Sequence, residues 1–405
     1  MWTVIRKRQG LSPNKAPNRP DTDYGCHQRC IQLHEVRPDV PPSDPTAFSK
    51  AYGGFIYMKI RRWMLDEREH VRLQAVDHLI ECYTEKREHC VASLPYNMLP
   101  ILLLALERDE SAAVRERAGL ALEMLVRETQ TQKLLLESPD LFEEQEGLPV
   151  KKAAALRNVS PILASLHDTN DDVVVTGLRV VLSCHAWQNS FAVTAALVQG
   201  GILPRLVELI QHTNTSVAMF ACSATRQAFQ VKEAHVQLLR LHVVSAVTSA
   251  IVATDAVPLI AEAAEVLSLI AEYPQGRRDA LACRTLEALL PHFSNGNLTL
   301  RVALFSAAAQ ITVLEAAKMQ ATELGIPALL VHEIAREDER DVLMHMLRLL
   351  YNLAEWPTAR AALRECLPRI AALKSVAEGD DVVMLALQQG ETILNKKGAM
   401  PVKAA

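Results

Sequence analysis

The chain has 405 residues, a formal charge of −4, and 49% hydrophobic but only 5% aromatic residues. That balance argues against a nucleic-acid binder working by broad electrostatics, and no apolar run approaches the roughly 18 residues a membrane span requires. No apolar stretch follows the N-terminal charges, so a secretory signal is not expected. The eight cysteines are scattered singly. Most lie in apolar stretches (Cys184, Cys222, Cys283) and read as reduced core residues of an intracellular protein.

Residues 1–43 read as a basic, Pro-rich, disordered or extended arm. Arg6, Lys7, Arg8, Lys15 and Arg19 precede the first acid, Asp21, and prolines at 13, 17, 20, 38, 41 and 42 forbid a continuous helix. Those prolines also spoil the amphipathic helix of a mitochondrial presequence. Cys26, His27, Cys30 and His34 lack the close C-x-x-C pairs of a zinc site and read as unconnected residues.

From Asp44 the pattern turns helical. Ile60–Leu65 and Val71–Tyr83 alternate apolar and charged positions at helical spacing. Glu67 with His70, and Glu88 with His89, have no third ligand at useful spacing and read as solvated helix faces. Leu99–Glu107 and Ala112–Glu128 form the next pair, with Ser111 as N-cap. Residues 129–152 break the rhythm. Glu137, Asp140, Glu143, Glu144 and Glu146 occur there with no base between Lys133 and Lys151. This acidic insertion reads as a solvated loop or a contact surface.

Beyond it, Pro161 opens an apolar stretch, and helices are expected over Val173–Ala186, Val217–Phe229, Val257–Ala271 and Leu298–Ala317. Gly325-Ile326-Pro327 starts another short helix, with proline in the first turn, where a missing N–H costs little. Asp341 is placed as the N-cap of a helix over Val342–Glu355 whose apolar stripe is too wide for a surface helix. A short helix runs to Leu363, Pro368 begins the pattern again, and the last helix ends near Leu394. Residues 396–405 read as a short tail.

Pro327 and Pro368 are 41 residues apart, and Pro204 precedes Pro327 by 123, three times 41. The intermediate stations fall at Ser245 and Leu286. A helical period of about 40–47 residues marks armadillo and HEAT solenoids. The Gly-Ile-Leu-Pro-x-Leu-Val phrase at Gly201 and the Tyr351-Asn352-Leu353-Ala354 phrase resemble the armadillo version. The expectation is an all-α, right-handed superhelical solenoid of about seven repeats over residues 44–395.

No G-x-G-x-x-G, P-loop, G-x-S-x-G or H-E-x-x-H phrase occurs; His332-Glu333 fails the last because Arg336 stands at its end. No enzymatic activity, cofactor, metal or small-molecule substrate is therefore expected. Solenoids work by surface, and the long third helices of successive repeats line the groove. Arg179, Arg226, Arg348 and Asn352, polar on otherwise apolar third helices, are the candidate protein-binding residues. The Trp–Asn ladder of armadillo nuclear-import receptors is missing, and Trp187 and Trp356 read as packing anchors.

One phrase is used twice: Ala271-Glu272-Tyr273-Pro274-Gln275-Gly276-Arg277 and Ala354-Glu355-Trp356-Pro357-Thr358-Ala359-Arg360. The second copy, continuing to Leu363 and Pro368, resembles the closing repeat of the radial spoke head 14 family of motile cilia. Asp44-Pro45-Thr46, Ala51, Gly53, Leu65 and Arg72-Leu73-Gln74-Ala75 are similar to that family's opening. The resemblance implies a non-catalytic scaffold of the cytoplasm and cytoskeleton, in the axoneme of a cilium or flagellum, whose partners are other radial spoke proteins. The alternative is a soluble armadillo adaptor that binds an extended peptide in signalling or transport.

Overall fold

The structure, a computed structural model, describes residues 55–137, 150–184, 190–376 and 380–396. The N-terminal arm with Cys26, His27, Cys30 and His34, the acidic stretch 138–149, Trp187 and the tail beyond Lys396 lie outside the described residues. Within them every regular element is helical. The first unit contains α1 (Phe55–Met64) and α2 (Glu69–Glu85). Seven three-helix units follow. They are α3 (Glu88–Ser93), α4 (Met98–Arg108) and α5 (Ala112–Leu125), then α6 (Thr129–Glu137), α7 (Val150–Ser165) and α8 (Asp171–Ser183). Next come α9 (Ser190–Gln199), α10 (Ile202–Ile210) and α11 (Thr215–Ala228), then α12 (Lys232–Arg240), α13 (Val243–Val252) and α14 (Val257–Ile270). The last three units are α15 (Pro274–Ala282), α16 (Thr285–Leu289) and α17 (Leu298–Ile311); α18 (Glu315–Glu323), α19 (Ile326–Arg336) and α20 (Arg340–Ala354); and α21 (Pro357–Leu363), α22 (Leu367–Val376) and α23 (Asp381–Leu394).

The long helix of each unit packs on that of the next, in the order α2, α5, α8, α11, α14, α17, α20, α23. Their starts step by 41–44 residues, except for 59 between α5 and α8. The core is a continuous stack rather than a centre, as expected for units that touch only their neighbours. It is aliphatic, with alanines where long helices approach closely, as at Ala263, Ala264, Ala307 and Ala308. At Gly119 a Cβ would come within 2.8 Å of the Thr176 side chain, so α5 and α8 need that glycine.

A local device starts each long helix from α2 to α20. Two residues before the N-cap, a side chain accepts a hydrogen bond from the N-cap N–H. The acceptors are Asp66, Asp109, Asp168, His212, Thr254, Asn295 and Glu337, at 2.8–3.1 Å. Ser111 caps α5 as the sequence indicates. Asp341 does not cap α20: Glu339 is the N-cap and Asp341 lies inside the first turn. An acid serves the helix dipole from there just as well, so composition does not separate the two positions.

Two other expectations change. Leu298–Ala317 is not one helix. It breaks after Ile311, where the Thr312 hydroxyl bonds back to the Ala308 and Ala309 carbonyls and Leu314 becomes the N-cap of α18. The 129–152 insertion is mostly regular structure at its ends. Residues 129–137 form α6, which buries Thr131, Gln132 and Leu135, and α7 begins at Val150, so Pro161 lies within the helix rather than near its start.

Candidate partner-binding face

The twice-used phrase has a structural role. In the first copy the Arg277 guanidinium donates to the Ala271 and Glu272 carbonyls, at 2.6 and 2.9 Å. In the second, Arg360 donates to the Ala354 and Glu355 carbonyls, at 2.5 and 3.1 Å. Each arginine thus satisfies carbonyls left unpaired at the end of a long helix, while Pro274 and Pro357 start the next helix with φ already set. Six residues after a helix end, Gln132 and His235 do the same for the Val126 and Phe229 carbonyls.

The loop edge carries a second recurring bond. Arg72, at the fourth position of α2, donates to the Asp66 and Glu67 carbonyls of its own unit and, through two bonds of 2.8 and 3.0 Å, to Asp109 of the next. Arg115 repeats this from α5, to the Asp109 and Glu110 carbonyls and the Asp168 carboxylate. Arg301, again fourth in its helix, meets Glu333 and Glu337, both nearly buried. Such two-pronged bonds set the spacing of neighbouring units as well as contributing energy.

The four candidate residues all lie on the long helices, in different states. Arg179 on α8 holds Glu123 of α5 at 2.8 Å, and Arg127 holds the other carboxylate oxygen at 2.6 Å. Arg226 on α11 meets Glu262 and Glu265 of α14 at 3.3 and 3.1 Å. Their charges are thus spent between adjacent units. Asn352 on α20 donates its side-chain amide to the Ala309 carbonyl of α17, at 2.7 Å. Arg348 is exposed and has no carboxylate within ion-pair distance among the described residues.

Two depressions cross this face. One, of about 450 Å³, spans α11, α14, α17 and α20 and is lined by Arg226, Glu265, Ser268, Ser306 and His345, with apolar neighbours. The other, of about 230 Å³, spans α17, α20 and α23 and is lined by Gln310, Val313, Arg348, Tyr351, Asn352 and Gln389, among others. Burial and the Arg348 charge push the His345 imidazole below its usual range, with Asp341 opposing, so it is neutral at pH 7. Arg348 and Asn352 therefore share one surface, and Arg226 shares the adjoining one. Arg179 borders neither depression.

Sequence reasoning missed Gln310 and Gln389. Gln310 lies 42 residues before Asn352, so the period itself places it at the same helical position. It also missed Glu123, Glu262 and Glu265, the carboxylates that neutralise two of the chosen arginines.

Four of the described cysteines are buried and held in the thiol form. Burial lifts the Cys90 thiol to about 11 and the Cys184 and Cys366 thiols to about 12, and raises that of Cys222 further. These groups remain thiols rather than nucleophilic thiolates at neutral pH. Among the described residues no group of three or more His, Cys, Asp or Glu side chains is placed to hold a metal ion. No single described helix is long and apolar enough to cross a membrane.

An engineered protein of solved structure matches 85% of this chain over 89% of its own length, with a TM-score of 0.58 and 18% identity. A designed armadillo repeat protein matches 58% of this chain over 98% of its own length, with a TM-score of 0.52 and 17% identity. The fold is an armadillo solenoid. Another designed armadillo repeat protein, solved in complex with the peptide (KR)4, matches with a TM-score of 0.50, 17% identity and the same two coverages. No protein-family model and no curated protein matches the chain.

Proposed function

We propose that this protein is a non-catalytic scaffold that holds an extended segment of a partner protein along the face of its long helices. The observation that carries this reading is the pair of adjoining depressions, which run across α11 to α23 and are lined by side chains in helical register. The (KR)4 complex of a designed armadillo protein supports it by analogy of fold. Amide side chains at Gln310, Asn352 and Gln389 suit a peptide backbone, which offers one donor and one acceptor per residue.

We further propose that the partners are radial spoke proteins and that the chain resides in the axoneme. The support is the resemblance of its closing phrase, Leu353 to Leu363, and of its opening at Asp44. The capping role of Arg277 and Arg360 favours the second reading, a soluble adaptor, because the phrase then follows from helix-end chemistry alone. Localisation of a tagged copy in a ciliated cell, followed by detergent and salt extraction, separates the two. Retention with the axoneme supports the spoke reading. A soluble signal overturns it and leaves the adaptor. Alanine at Arg226 and Arg348 together is expected to weaken partner binding with helicity unchanged, and unaltered binding removes this face as the contact.

A further inference from the structure

We infer that the end of this face formed by α17, α20 and α23 takes an acidic segment, an extended partner chain that sets a carboxylate on Arg348 and apolar side chains on either side. The inference deepens the scaffold reading and rests on it. Along the long helices Arg117 meets Asp77, Arg179 meets Glu123, and Arg226 meets Glu262 and Glu265, each across one unit boundary. Later units pair at the loop edge instead, where Arg301 meets Glu333 and Glu337, and Arg340 meets Asp380. Beyond Glu265 no carboxylate lines either depression, and Glu265 is itself held by Arg226. Arg348, the ninth residue of α20 as Arg179 is of α8, is therefore an exposed cation in the second depression with no carboxylate within ion-pair distance among the described residues.

The neighbours of Arg348 specify more than charge. Asn352, with its amide nitrogen bonded to Ala309, keeps its oxygen for an incoming N–H. Gln310 and Gln389 flank it on α17 and α23 and offer both donors and acceptors. Apolar surface frames these groups. Val313 and Tyr351 line the depression, and Leu385, beside Ala386, is 55% exposed. An isolated phosphate or other small anion has no use for that frame, whereas an extended chain with alternating acidic and apolar side chains engages both. A basic segment brings like charge to Arg348 and finds only a carboxylate already bonded, so it is disfavoured.

The test is fluorescence anisotropy on the full chain with three labelled decapeptides, identical in their Leu and Ser positions and carrying Glu, Gln or Lys at the remaining ones. The Glu peptide is expected to bind about five- to tenfold more tightly than the Lys peptide at low salt, the scale of one interfacial charge pair. Arg348→Glu is expected to reverse that order. Arg278→Glu, the same charge change at an exposed position on α15, is expected to leave it unchanged, which excludes a net-charge effect. Equal binding of all three peptides, insensitive to Arg348→Glu, overturns the acidic preference but leaves the scaffold reading standing. No binding by any of them overturns both. Concentration-dependent self-association that disappears in Arg348→Glu also overturns the inference, by assigning this end of the face to contact between copies of the chain.

Discussion

His242 and Arg284 hold φ values of 56° and 54° at the turn between the first and second helices of their units, where Gly201 and Gly325 hold 88° and 75°. Side chains other than glycine's crowd the backbone there, at a cost of roughly 1–2 kcal/mol per residue. Glycine relieves that strain but loses about 0.5–1 kcal/mol in extra unfolded-state freedom. Arg284→Gly is therefore expected to stabilise the protein by about 0.5–1 kcal/mol, and His242→Gly likewise; a lower urea midpoint in both would show these turns to be unstrained. Gly276 is the opposite case. A Cβ there would stand 2.2 Å from the Ile270 carbonyl oxygen, so backbone must move to admit it. The equivalent residue in the other copy of the phrase is Ala359, which is fully buried. Gly276→Ala is expected to cost about 1–3 kcal/mol, the usual scale of overpacking, despite that precedent. An unchanged thermal midpoint would mean that the α14–α15 turn relaxes to the geometry of its α20–α21 counterpart.

Between elements, the Arg115–Asp168 bond carries a pH signature. Burial acts first, raising the Asp168 carboxyl, but the Arg115 hydrogen bonds and charge, with the Asn170 and Thr169 N–H groups, outweigh it and hold the folded value below the usual range. A carboxyl depressed on folding contributes stability that is whole above its unfolded value near pH 4 and is lost as pH falls through the folded value. Asp168→Asn is expected to flatten that part of the decline in thermal midpoint below about pH 4, and to cost about 1–3 kcal/mol at pH 7 by removing the charge from Arg115. Parallel pH curves for the variant and the parent would refute the assignment. Periodicity located helix starts to within a few residues wherever glycine or proline punctuates the chain, as at Gly201, Gly325 and Pro357. It failed at Leu298–Ala317, because the turn Thr312-Val313-Leu314 is as apolar as the helices it separates. Placement of the four candidate residues on the long helices was legible from that same period. The partners of Arg179 and Arg226 were not, because each ion pair joins different units and its offset, 56 residues for Glu123 and 36 for Glu262, follows no repeat.

Over the whole stack, stability belongs to interfaces between neighbours, so the ends and the middle differ in kind. α14 and α17 are covered on both sides by further long helices. They carry small buried residues (Ala261, Ala264, Ala303, Ala307), which allow close approach of packed helices. α23 has a long-helix neighbour only on the α20 side among the described residues, and it leaves Val382 and Leu385 57% and 55% exposed. In a stack of nearest-neighbour contacts, losing one terminal unit sacrifices one interface, while opening a central unit sacrifices two. Amide exchange is therefore expected to be slowest in α14 and α17 and faster in α22 and α23, by the difference between sub-global and near-global opening. Leu304 and Leu387 are both fully buried and sharpen the contrast. Truncation of either to alanine removes about 2–5 kcal/mol of packing. In α23, Leu387→Ala is expected to speed exchange within α22 and α23 alone. In α17, Leu304→Ala is expected to speed it in the units on both sides, because both interfaces of that helix are weakened. If both variants instead accelerated every helix alike, the described units would be opening as one cooperative body, and the groove end around Arg348 could not loosen on its own to admit a partner.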